Sequence, residues 1–203
     1  MTHYPRNIVS KIINIPRLAP RDMKSWLNFW DENAKPVPKI KINHNGNSTI
    51  KWKGLCFMGI ENISRLSAYD FKYVDCFDIF PELYVHVSNL GIPVSMGLIF
   101  ESTFSFLPHN DTATGNAMQI RTILYDENPV PTFFYMINGK KVYQQFPPNE
   151  SNTWIFKDHD VQHGSDFIPG YRKLLISYNL EEKSEVITKF MADTTFDEYA
   201  ITE

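Results

Sequence analysis

From Val94 onward the chain is cut into short runs rich in β-branched and aromatic residues, at 94–106, 118–125, 132–137, 141–146, 153–156 and 173–180. Proline, glycine, asparagine and aspartate separate them, as strand boundaries require. Asn138-Gly139 lies between two of the runs and favours a two-residue hairpin, because both positions tolerate positive φ. Six short strands in so little chain predict an antiparallel sandwich or barrel. Before them, 22–31 places Met23, Trp26, Leu27 and Trp30 on one helical face. Phe80 to Asn89 reads as a second helix, with Pro81 in its first turn and Gly91 just past its end. The expected fold class is therefore mainly β with flanking helices, the amino-terminal helices bracing the β part.

With 43% hydrophobic and 14% aromatic residues, a chain of 203 residues can bury a core and falls outside the disordered class. We find no repeat and no long linker, and expect a single domain over 1–203. Within it, 1–92 is a helical and mixed support region, 93–180 the β core, and 181–203 an acidic tail read as a solvated cap, with a helix near 184–192 or a lid as the alternatives. No apolar run reaches the roughly 18 residues of a membrane helix, so no membrane partner is expected. Two cysteines, Cys56 and Cys76, are too few for a disulfide scaffold, and the start carries no secretory pattern; both point to a cytoplasmic setting. Residues 1–53 hold ten Lys/Arg against three Asp/Glu. These cations are scattered, with no arginine cluster and no recognised nucleic-acid motif, so solvated surface is expected rather than a nucleic-acid partner. The Trp26 and Trp30 stripe fits a homodimer contact and burial within one chain equally well.

Four residues of the β-rich half stand out. His109 and Asp111 are two apart, hence on one face of an extended segment. His163 follows 52 residues after Asp111, and Arg172 nine after His163, at the head of the last core run. Two histidines and a carboxylate form the ligand set of non-haem Fe(II) oxygenases, which leaves metal positions open. A forked, always-charged guanidinium suits the carboxylate of a small diacid. His159-Asp160-Val-Gln-His163 has a zinc-protease-like spacing, but Asp160 replaces the expected Glu and the region reads as strand and turn. His3, His44 and His86 read as structural or exposed, and Trp154 and Phe156 as core.

His109-x-Asp111, His163 and Arg172 resemble the pattern of the Fe(II)/2-oxoglutarate-dependent dioxygenases. The nearest branch holds the aspartyl/asparaginyl β-hydroxylases and the free-proline cis-hydroxylases. The likeness covers roughly 95–180, through Phe106-Leu-Pro-His-Asn-Asp-Thr, Gln119-Ile-Arg-Thr-Ile, Val161-Gln-His-Gly and Tyr171-Arg-Lys-Leu-Leu-Ile. It implies a double-stranded β-helix, a jelly-roll or cupin-like barrel, with His109, Asp111 and His163 as iron ligands. Arg172 would hold the distal carboxylate of 2-oxoglutarate, and Arg121 would add a second contact to this co-substrate. The implied activity is hydroxylation of an amino acid or a peptide or protein side chain, consuming dioxygen and 2-oxoglutarate and releasing succinate and CO2. Two departures stand: aspartyl β-hydroxylases lack the carboxylate ligand that Asp111 supplies, and Leu174 occupies the serine position of the Arg-x-Ser pair seen in many plant members. The remaining readings are a non-catalytic cupin-like binding or sensing protein, and a cupin metalloenzyme that does not use 2-oxoglutarate.

Overall fold

The computed structural model describes residues 8–36, 40–41, 49–50, 52–57, 72–73, 79–91, 94–102, 105–110, 118–148, 150–157, 160–180, 190–192 and 197–203. Asp111, His159, His3, His44, Cys76 and most of the alternative tail helix lie outside them. In chain order the strands are β1 Ile8–Ile12, β2 Lys35–Pro36, β3 Ile40–Lys41, β4 Thr49–Ile50, β5 Trp52–Phe57, β6 Lys72–Tyr73, β7 Val94–Ser102 and β8 Phe106–His109. They continue with β9 Gln119–Asp126, β10 Phe133–Ile137, β11 Lys140–Tyr143, β12 Thr153–Phe156, β13 His163–Ser165, β14 Lys173–Leu180 and β15 Ile201–Thr202. Helix α1 spans Met23–Asn33 and α2 spans Pro81–Leu90.

Local chemistry accounts for the element ends. Asp22 caps α1 by accepting the Ser25 N–H at 3.0 Å, satisfying one of the helix's unpaired donors. Pro81 opens α2, and Gly91 ends it at φ 63°. At the hairpin, Asn138 and Gly139 have φ of 50° and 74° between β10 and β11, as their sequence requires.

The strands form two main sheets. The larger runs β15-β1-β12-β9-β14-β7-β5-β2, with β6 beside β5, and the smaller runs β11-β10-β13-β8. From β7 to β14 the chain passes back and forth between them, which is jelly-roll winding. An inner apolar cluster holds Phe100, Trp154, Phe156 and Leu175 from the larger sheet against Phe133 and Tyr135 from the smaller. On the other face of the larger sheet, Ile99, Ile120, Leu124, Ile155, Leu174, Ile176 and Tyr178 pack with Trp26 and Trp30 of α1 and Leu83 and Leu90 of α2. What is seen is thus a pair of facing sheets rather than a demonstrated closed barrel. The amino-terminal part is also less helical than expected: β1 joins β12 and β5 joins β7, so 1–92 extends the larger sheet on both sides. Trp26 and Trp30 are buried within their own chain and offer no stripe to a second copy.

Candidate active site

The two histidines come together because β8 and β13 pair antiparallel with His109 opposite His163. Their ring centroids are 4.7 Å apart. His109 Nδ1 lies 2.7 Å from the Leu107 carbonyl and His163 Nδ1 lies 3.4 Å from the Val161 carbonyl. A carbonyl can only accept, so these contacts place the ring proton on Nδ1 in both residues and the metal-binding lone pair on Nε2. His163 is buried, stacked on Phe133 at 5.7 Å and met edge-on by Phe156 at 5.1 Å, which fixes its ring plane. Gly164 permits this pairing. A Cβ there would stand 2.5 Å from Phe134 Cζ and 2.6 Å from the Phe106 carbonyl oxygen. Among the described residues no group of three metal-binding side chains occurs, the third expected ligand, Asp111, lying outside them. The paired imidazoles fit two positions of a metal's coordination sphere.

Arg172 is not brought to this pair. Its Nε donates to Glu101 at 2.7 Å, its Nη2 to Glu101 at 3.1 Å, and Nη1 and Nη2 to Asp31 at 3.1 and 2.8 Å. Glu101 also accepts from Trp30 Nε1 at 2.9 Å. These carboxylates belong to β7 and α1, on the helix-covered face, and they raise the Arg172 pKa further above its ordinary value, the Glu101 hydrogen bond most of all. The physical reason is strand parity. Leu174 and Ile176 face the helices, so Arg172, two residues before Leu174, faces them too.

The cation that enters the space between the sheets is the next residue, Lys173, on the same face as Leu175. Its Nζ donates to Thr132 Oγ1 at 2.8 Å and pairs with Asp126 Oδ2 at 2.7 Å. Beside it lies a cavity of about 130 Å³ lined by residues that include Thr132, Phe133, Gln144, Trp154, Ser165 and Leu175. Sequence inspection passed over Lys173; its signal was the Lys173, Leu175, Ser177 alternation within β14. Arg121 also points inward: its guanidinium carbon is 5.0 Å from the Phe133 centroid, 5.1 Å from Phe156 and 6.0 Å from Phe100, and Nη2 donates to Gln119 at 3.1 Å. Phe133 and Phe156 touch both Arg121 and His163, so the four form one aromatic-walled group.

The architecture is similar to that of a solved structure. A prolyl hydroxylase from Trichoplax adhaerens, in complex with a hypoxia inducible factor oxygen degradation domain peptide fragment, superposes with TM-score 0.50. The two are 12% identical, over 81% of this chain and 79% of that one. The likeness is one of fold. A Pseudomonas putida prolyl-4-hydroxylase overlaps at TM-score 0.46 and 10% identity, over 86% of this chain and 94% of that one. No family model matches the sequence, and no curated protein matches it. No helix among the described residues is long and apolar enough to cross a membrane.

Proposed function

We propose that the chain is an Fe(II)- and 2-oxoglutarate-dependent oxygenase that hydroxylates an amino acid or a peptide side chain. The observation that carries this reading is the His109–His163 pair, with both Nδ1 atoms on backbone carbonyls. His109 and His163 would hold Fe(II) through Nε2, and Asp111 would supply the carboxylate of the same set. Held there, Fe(II) would supply the redox chemistry by which substrate, one dioxygen and one 2-oxoglutarate give hydroxylated substrate, succinate and CO2.

The chain's own residues bind and orient the co-substrate. Lys173, rather than Arg172, is the anchor for its distal carboxylate, with Thr132 alongside, and Arg121 is the second cation. Lys173 and Ser177, the residue opposite Arg121, are four positions apart on β14, so the two cations enter the space between the sheets from one face of the larger sheet. The walls formed by Phe100, Phe133, Trp154 and Phe156 displace water there, which strengthens both ion pairs. The Trichoplax enzyme carries a peptide in its structure; a peptide or free amino acid is the substrate class we assign.

Anaerobic visible absorption tests the reading without knowledge of the substrate. Titration with Fe(II) and then 2-oxoglutarate should produce the charge-transfer band of a chelated keto acid, lost in His109→Ala. Bound iron with no such band would overturn it.

A further inference from the structure

The anchor for the distal carboxylate already carries a carboxylate. Asp126 Oδ2 is 2.7 Å from Lys173 Nζ, and the lysine and aspartate side chains are only 18% and 16% exposed. Asp126 is held in place from both sides: its residue is directly opposite Lys173 in the β9–β14 register, and Oδ1 accepts the Asn128 N–H at 3.1 Å. Thr132 Oγ1 takes a second Nζ proton at 2.8 Å. An ammonium has three donors, so a ligand meets the third with Asp126 beside it. The other charges around this pocket are engaged elsewhere: Asp166 with Lys141 at 2.7 Å and Tyr143 at 2.6 Å, and Arg172 with Glu101 and Asp31. The formal charge of the Lys173–Asp126 anchor is therefore zero. A carboxylate arriving at Nζ would lie about 5 Å from a second carboxylate, a repulsion worth on the order of tenfold in affinity at an effective dielectric of about 45, intermediate between a near-surface protein pair and water. A terminal amide meets the same pair without repulsion, its carbonyl accepting from Nζ and its NH2 donating to Asp126.

We infer that Asp126 is a specificity-determining residue of the distal pocket: it lowers the affinity for carboxylate-ended 2-oxo acids and narrows their advantage over amide-ended ones. This rests on the reading of Lys173 as the keto-acid anchor.

Calorimetric titration of the Mn(II)-loaded protein, without oxygen, tests it with 2-oxoglutarate and with its terminal amide, 2-oxoglutaramate. Asp126→Asn should bind 2-oxoglutarate roughly tenfold more tightly than wild type, with the amide unchanged or weaker, so that the preference for the diacid widens by about the same factor. A gain in affinity does not arise from misfolding, and Asp126→Ser, which also removes the charge, should move in the same direction. If wild type binds 2-oxoglutarate and Lys173→Met does not, but neither Asp126 variant binds it more tightly, the role of Asp126 is overturned and the anchor stands. If wild type and Asp126→Asn both take up Mn(II) yet bind neither keto acid, the anchor reading falls and the inference with it.

Discussion

Arg172 and Lys173 are consecutive cations with different partners, because neighbouring side chains on a strand point to opposite faces. Arg172 ties α1 to β7 through Asp31 and Glu101, and its backbone N–H reaches Glu127 at 2.7 Å. Arg172→Met should leave the buried Glu101 carboxylate short of its cationic partner and cost about 2–4 kcal/mol of stability, with 2-oxoglutarate affinity retained. Lys173→Met leaves the largely buried Asp126 short of its cation and should also cost about 1–3 kcal/mol of stability, but unlike Arg172→Met it should weaken 2-oxoglutarate binding by more than an order of magnitude. Chemical denaturation and calorimetry on both variants check the pair. If Arg172→Met loses the co-substrate and stays stable, the assignment is reversed.

The β8–β13 pairing is the element on which the proposed metal site depends, since it sets His109 opposite His163. Gly164→Ala would press a methyl group into the Phe106 backbone. Overpacking of this kind costs about 1–3 kcal/mol, and separating the strands should weaken Mn(II) binding along with stability; calorimetric Mn(II) titration reads that loss directly. Helix α2 makes a different kind of contact. Its buried His86 places Nε2 3.1 Å from Thr122 Oγ1 and 3.5 Å from Thr153 Oγ1, tying the helix to β9 and β12. Burial lowers the His86 pKa from 6.5 to about 4. The unfolded chain therefore takes up a proton that the folded chain refuses. The contribution is complete above pH 6.5 and is lost as pH falls toward 4, a change of about 3 kcal/mol. His86→Gln should flatten that part of the stability profile relative to wild type between pH 6.5 and 4, as followed by urea unfolding; parallel profiles would count against it.

At the scale of the whole molecule, the metal and co-substrate of the proposed function would bridge the two sheets, because the histidines lie on the smaller and Lys173 and Arg121 on the larger. A ligand at about one hundred times its Kd stabilises by about 2.7 kcal/mol, which in a domain of this size raises Tm by roughly 5–10 °C. Mn(II) with 2-oxoglutarate should produce that rise in scanning calorimetry in wild type and not in His163→Ala. An equal rise in the variant would place the ligands elsewhere. Six of the eight strands from β7 to β14, all but the short β8 and β13, the hairpin at Asn138-Gly139 and the two helices were legible in the sequence, because turn chemistry, capping and apolar periodicity are properties of neighbouring residues. The spacing of His109 and His163 was legible too, as a pattern. Their meeting at 4.7 Å was not, nor was the recruitment of β1 and β5 into the larger sheet, since both depend on pairing between distant segments. Local sequence determined that two adjacent cations head the last core strand; only the packing of α1 on one face and the smaller sheet on the other decided which of them turns inward. A shift of one residue in register exchanges the two faces of a strand, and that register is set by the buried contacts of the whole fold.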